Sequence, residues 1–445
     1  MKNKHVYWPV FGTLLALSLV SCGAQQNAEK VVLPDLYGLS VRQAKLQVGA
    51  SFLFEEIQTP TTELIEGRIL SYGDGLKAGD MVSKGTRVPV QVSQRSKEAT
   101  ANDDSIIAYH NIIAKETGPD SINGEMLSAA GEYGCDLGIP FRLPDNRMML
   151  LYGDTFSGDN MSGMWFSNYM AITSDTTFYD GITFDSVVTQ DNGMLKPFAQ
   201  GAHQSGSEDD LTKEVTKIPT GGISVNGNAY IFYMSIRYWG VGGSWLVTYN
   251  QALKAADNTY QTWEPVESLR WNESEFRFGG QIYPYQDPND QEHIYFITIP
   301  GGRNDGTVMM RVATSSFENR SEYEYLVGPN QWEKGDTGMS KLNANPYYII
   351  DPAASELSMT WSEYLQQYVI ITLRGSSISM LLSPTITGPY RESHAICSST
   401  EYPGLYGGFV HSAFMDSEGQ RMYLQLSRWT PIYNTFLMEV VLTDR

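Results

Sequence analysis

Cysteine, histidine and positive charge are all scarce in this 445-residue chain, and each shortage removes a class of function. None of the six histidines stands in an HExxH or paired metal-binding spacing, so there is no zinc signature and no metal is expected. Of the three cysteines, Cys135 and Cys397 lie in the body of the chain. They either bridge in an oxidising compartment or stay as buried free thiols, and neither has a neighbouring motif for nucleophilic catalysis. GxGxxG, GxxxxGK and GxSxG are all missing. Their absence removes the commonest nucleotide-binding and serine-hydrolase readings, and no cofactor is expected. Lys and Arg number 31 against 50 Asp and Glu, a net charge of -19. Such an acidic balance argues against nucleic acid and anionic lipid headgroups and suits a neutral polymer or a cationic ligand. Beyond the N-terminal region no apolar run approaches the length of a membrane helix, so a body tethered only by lipid is expected.

The N-terminus carries Lys2 and Lys4, an apolar stretch from Val6 to Val20, and then Leu19-Val20-Ser21-Cys22-Gly23. A basic start, a short apolar core and small residues before a cleavage point describe an export signal over residues 1–21. Cys22 is placed like the lipid-bearing cysteine of a bacterial lipobox, which implies an exported lipoprotein at the outer membrane, the cell surface or the periplasmic face. Removing residues 1–21 deletes two lysines and no acid, taking the net charge from -19 to -21.

Residues 22–30 read as a polar tether. Residues 31–93 read as a small α+β domain in which Val41, Ala44 and Val48 recur at helical spacing behind Ser40 as N-cap. An alternating strand, Val88 to Ser93, ends it. The "PDLYGLS" opening and the "AGDMVSKGT" turn resemble a PASTA domain, which implies either peptidoglycan contact or a spacer role. Residues 94–105 read as a linker.

From about residue 106 to 445 a fivefold pattern of strands recurs. The second strands are "RMMLLYGDT", "NAYIFYMSI", "EHIYFITIP", "QYVIITLR" and "RMYLQLSRW". Each follows an inner-strand candidate, such as "CDLGIPFRL" or "GGQIYPY", and precedes a third apolar strand. The spacing suits four-stranded units closed into a ring, and the expected class is mainly β: a five-bladed β-propeller after the small domain, with a β-sandwich as the alternative.

The candidate chemistry centres on a hairpin from Gly134-Cys135-Asp136 to Gly153-Asp154. With Pro144, Asp145 and Asn146 as its loop, Leu143 faces Arg147, and the same register carried on sets Asp136 opposite Asp154. Side chains so placed have Cβ atoms about 4.5–5.5 Å apart, and paired carboxylates split their pKa values into an acid and a base. Glycoside hydrolysis uses that equipment. The plainer alternative makes Asp154 a turn residue and Asp136 a strand-end cap.

Further candidates for binding a sugar are Trp165, Glu214, Glu363, His411 and Trp429, with Trp239 and Trp361 also able to stack on a sugar ring. Glu214 lies in the long polar segment 189–219, a length that marks functional or disordered loops.

The elements "DLGIPF", "LLYGDTF", "IPTGG" and "YGGFVH" to "SRWTPIYN" together resemble glycoside hydrolase family 183, once listed as domain of unknown function 4185, across residues 106–445. The resemblance implies endo-acting cleavage of α-linked D-arabinofuranose chains, with the family's paired aspartates on Asp136 and Asp154. A non-catalytic glycan-binding propeller, and a hydrolase of another furanose polymer such as L-arabinan or fructan, are the competing expectations.

Overall fold

The computed structural model describes residues 29–37, 39, 41–61, 69–95, 106–275, 277–416 and 419–443. The export signal, Cys22, the N-cap Ser40 and nearly all of the linker lie outside the described residues. Chain contacts divide the protein into two compact units. One is formed by residues 1–59 with 68–93, the other by 60–67 with 94–445.

In the smaller unit the helix Val41–Val48 buries Val41, Ala44 and Val48, the stripe that a period of 3.6 residues places on one face. It accompanies a three-stranded sheet ordered Leu53–Thr61, Arg87–Arg95, Ile69–Tyr72. Val88, Val90 and Val92 of the central strand are all buried, as a two-residue period on a half-covered sheet demands. A separate pair, Lys30–Val32 with Met81–Ser83, completes the unit.

Among the described residues of the larger unit, five antiparallel sheets of four or five strands follow one another along the chain. Their innermost strands are Leu137–Arg142, Thr216–Val225, Gln281–Gln286, Ser355–Ser362 and Leu405–Phe409. Each innermost strand touches the next, and the fifth touches the first, so the sheets close into a ring. The ring is sealed across the chain: Ile107–Lys115 forms the outer strand of the fifth sheet, beside the C-terminal strand Asn434–Leu442. The fivefold pattern assigned no place to Ile107–Lys115. Pairing the first strand with the last ties the two ends of the ring together and leaves no gap between sheets.

Apolar side chains from all five sheets share one core, among them Ile139, Ile231, Ile297, Ile370 and Leu424. Each such side chain contributes about 1.5–3 kcal/mol when it leaves water. Crowding at the axis explains glycine in an inner strand. A Cβ on Gly222 would sit 2.3 Å from one ring atom of Phe141 and 2.8 Å from Cγ at the ring's base. The ring is itself buried and must shift to admit the methyl group. Gly222→Ala is therefore expected to lower stability by about 1–3 kcal/mol, read as a fall in the urea midpoint at unchanged slope.

Cys135 and Cys397 are both free and buried. No helix of the described residues is long and apolar enough to cross a membrane.

Candidate active site

The leading end of every inner strand opens into one cavity of about 480 Å³ at one mouth of the ring. Asp136 and Asp154 stand in its wall. The register between them differs from the sequence expectation. Leu143 does face Arg147, its N–H donating to the Arg147 carbonyl at 2.8 Å, and pairing proceeds regularly from Arg142 and Met148 to Ile139 and Leu151. A bulge at Gly138 then shifts it by one residue, so that Leu137 pairs with Tyr152. Asp136 accordingly faces Gly153, whose N–H donates to the Asp136 carbonyl at 3.1 Å. The bulge has a tertiary cause. The Leu137 N–H donates to the Ser427 hydroxyl at 2.7 Å, while Leu137 and Gly138 both adopt φ of 75°.

Gly153 then has a specific task. A Cβ there would come within 2.3 Å of Asp136 Oδ1, so only glycine leaves room for the carboxylate beside Asp154. The Tyr406 hydroxyl donates to Asp136 Oδ2 at 2.6 Å. Asp136 Oδ1 is buried without a hydrogen-bond partner among the described residues. Burial pushes the Asp136 carboxyl up to about 6, against the opposing pull of the Tyr406 and Tyr433 hydroxyls; the Glu356 charge raises it further and Arg303 lowers it.

Asp154 is held differently. Its Oδ1 accepts from Trp165 Nε1 at 2.7 Å and from the Thr216 hydroxyl at 2.5 Å, and its carbonyl accepts from the Tyr433 hydroxyl at 2.8 Å. Burial raises its carboxyl to about 8; the Thr216 and Trp165 donors oppose this, and the charge of Asp136 adds to it. With Oδ1 occupied by two donors, a proton on this carboxyl resides on Oδ2. Two carboxyls sharing one cavity thus favour different protonation states near neutrality.

Opposite them, Arg303 and Glu356 form an ion pair, Nη2 to Oε1 at 2.5 Å and Nε to Oε1 at 3.0 Å. The guanidinium lies 5.3 Å from the Trp245 ring centre and 5.4 Å from that of Tyr406. Glu356 sits at φ 44° and its N–H donates to Gln281 Oε1 at 2.8 Å. Among the described residues no group of three or more His, Cys, Asp or Glu side chains could hold a metal ion.

Of the other residues singled out from sequence, Trp429 and Trp239 line the cavity and are largely exposed. Trp165 acts through Asp154 and lies flat on His203, with ring centres 3.9 Å apart and planes at 6°. Glu214 is not in the cavity wall. It accepts from the Ser235 hydroxyl at 2.6 Å and the Ala202 N–H at 3.1 Å, and so fastens the preceding polar loop to its sheet.

Glu363 and His411 stand at the wrong end of their strands for this cavity. Glu363 occupies the turn after Ser355–Ser362, where it accepts from Gln366 Nε2 at 3.0 Å. His411 follows Leu405–Phe409 and lines a separate cavity together with Arg142. Its Nδ1 accepts from the Ala413 N–H at 3.0 Å, and burial, with Arg142 nearby, pushes its pKa down to about 3. Trp361 packs edge-on against Tyr368, 4.8 Å between ring centres.

Sequence reading missed Tyr406, Tyr433, Thr216, Arg303, Gln281 and Glu356. One signal was available: inner strands of a ring deliver their leading residues to the same mouth, and Gln281, Glu356 and Tyr406 all stand at or next to such a start.

Notoamide biosynthesis cluster protein J' of Aspergillus versicolor is 26% identical over 321 residues, covering 67% of this chain and 82% of that protein. A crystal structure from Bacteroides ovatus, provisionally described as a hydrolase, shares the fold with a TM-score of 0.51 at 13% identity, covering 72% of this chain and 88% of that one. The arabinanase Arb43A of Bacillus subtilis aligns with a TM-score of 0.39 at 11% identity, over 69% of this chain and 96% of its own. The family model described as domain of unknown function (DUF4185) matches residues 124–439, most of the chain, and the protein belongs to that family.

Proposed function

We propose that the protein is an endo-acting glycoside hydrolase that cleaves α-D-arabinofuranosyl linkages of D-arabinan, built on a five-bladed β-propeller. The observation that carries the hydrolase reading is the pair Asp136 and Asp154, two carboxyls in one cavity with pKa values raised to about 6 and about 8. Near pH 7 Asp154 retains its proton and Asp136 has lost its own. Asp154 Oδ2 then protonates the departing glycosidic oxygen. Asp136 attacks the anomeric carbon or activates a water to do so, and retention or inversion in the product separates these two routes. Tyr406 holds the Asp136 carboxylate in its ionised form, and Trp165 with Thr216 fixes the plane of Asp154. Trp429 and Trp239 offer exposed rings for the C–H face of a sugar.

The choice of D-arabinan rests on the likeness of "YGDTF" and its companion elements to glycoside hydrolase family 183. The five sheets closing into a ring support the five-bladed reading. The small unit, with its single helix and three-stranded sheet, is proposed as a PASTA-like domain that contacts peptidoglycan or spaces the hydrolase from a lipid anchor on Cys22.

Incubation of the purified protein with D-arabinan, L-arabinan and levan, followed by sizing of the products, tests the activity and its substrate together. Short D-arabinan oligomers are the expected product. Monosaccharide alone contradicts endo action, and release from L-arabinan or levan alone reassigns the substrate. Binding without release from any polymer identifies a non-catalytic glycan receptor.

A further inference from the structure

A second cavity of about 410 Å³ adjoins the catalytic one, and the two share Met161 and Tyr433 in their walls. We propose that this second cavity is a carbohydrate-binding compartment that seats the polymer beyond the reacting linkage; the proposal rests on the hydrolase reading above.

The shared sill is fixed relative to the reaction centre. The Tyr433 hydroxyl donates to the Asp154 carbonyl at 2.8 Å, and its ring meets Phe156 at 6.0 Å and 63°. Met161 stands at the tip of the hairpin formed by Thr155–Gly158 and Ser162–Phe166, where Asn160 and Met161 take φ of 55° and 57°. That left-handed pair turns the tip sharply and leaves Met161 exposed. The same hairpin carries Trp165, the donor to Asp154, so one short element borders both compartments.

The lining of the second cavity selects a class of ligand. Tyr133 and Ile432 present exposed apolar surface, while the Lys115–Asp120 ion pair, Asp159 and Asn160 present donors and acceptors. Two carboxylates against one ammonium disfavour an anionic ligand. Four polar side chains disfavour a wholly apolar one. A neutral, polyhydroxylated chain meets both requirements, with C–H faces on Tyr133 and Ile432 and hydroxyl groups on the polar side chains. The catalytic cavity is also lined by Trp239 and Trp245 beside strands of the second sheet, whereas Tyr433 leads into the fifth, and the first sheet, with Asp136 and Asp154, stands between those two in the ring. Asp136 and Asp154 therefore lie between two stretches of open wall, an arrangement that admits the middle of a chain.

The test uses the full-length protein, the double variant Tyr133→Ala/Ile432→Ala, and end-labelled D-arabinan, L-arabinan and levan oligosaccharides of graded length. For the series that the wild type cleaves, kcat/KM is expected to rise with chain length. In the variant, the ratio of kcat/KM on long chains to that on the shortest cleaved oligomer should fall about tenfold, the effect of losing a contact worth about 1.4 kcal/mol. A ratio equal to the wild-type value overturns the proposal, including the case in which all lengths slow together because the fold is damaged. Absence of cleavage of every series by the wild type removes the hydrolase reading and this compartment with it, whereas wild-type cleavage with an unchanged ratio removes the compartment alone.

Discussion

Asp154→Asn is expected to lower kcat on the polymer by about 10²–10⁴-fold, the range of a lost general acid. The amide oxygen can still accept from Trp165 Nε1 and the Thr216 hydroxyl, so the geometry around the side chain is retained while the transferable proton is gone. An aryl glycoside with an acidic leaving group needs little protonation, and the loss on that substrate should be much smaller. Asp136→Asn should behave differently. Removing the ionised partner disables attack on the anomeric carbon whatever the leaving group, so both substrates should slow to a similar extent. Kinetics of the two variants on polymer and aryl glycoside thus assign the roles separately. Wild-type kcat in both variants would remove the two aspartates from the catalytic step.

The pH profile carries the second large effect. Asp136 must be ionised, so the rate should fall about tenfold for each pH unit below about 6. Asp154 must keep its proton, so the rate should fall likewise above about 8, leaving a maximum near pH 7. The direction of each limb can be moved on its own. Tyr406 donates to the ionised form of Asp136 and thereby lowers its pKa. Tyr406→Phe removes that donor, raises the Asp136 pKa and moves the acid limb to higher pH with the alkaline limb in place. A profile in which both limbs move together, or neither does, would dissociate Tyr406 from the acid limb.

Much of this architecture is legible in local sequence because strand patterning is a local property. The alternation of Val88, Val90 and Val92, and the long apolar runs such as "NAYIFYMSI", depend only on which faces are covered. The pairing of Asp136 is not local. Its register depends on Ser427, 290 residues away, which accepts the Leu137 N–H and stabilises a bulge that the hairpin sequence alone does not announce. The position of Glu363 and His411 away from this cavity has a related origin. Both lie beyond the trailing ends of inner strands, whereas Asp136, Gln281, Glu356 and Tyr406 stand at or next to the leading ends that line this cavity. Arg303 escaped notice because it sits after a third-sheet strand, Gly301-Gly302-Arg303, and enters the site by pairing with Glu356 from the fourth sheet. Glu214 was singled out for the polar loop that carries it, and its carboxylate is spent in holding that same loop.

The claim beneath the proposed chemistry is that one fold gives two neighbouring aspartates unlike affinities for a proton. Carbon-13 NMR of side-chain carboxyls, titrated across pH and assigned with Asp136→Asn and Asp154→Asn, measures this without a substrate. The account predicts one resonance titrating near 6, absent in the first variant, and one near 8, absent in the second. Both carboxyls titrating together at about 4, as free aspartates do, would contradict it.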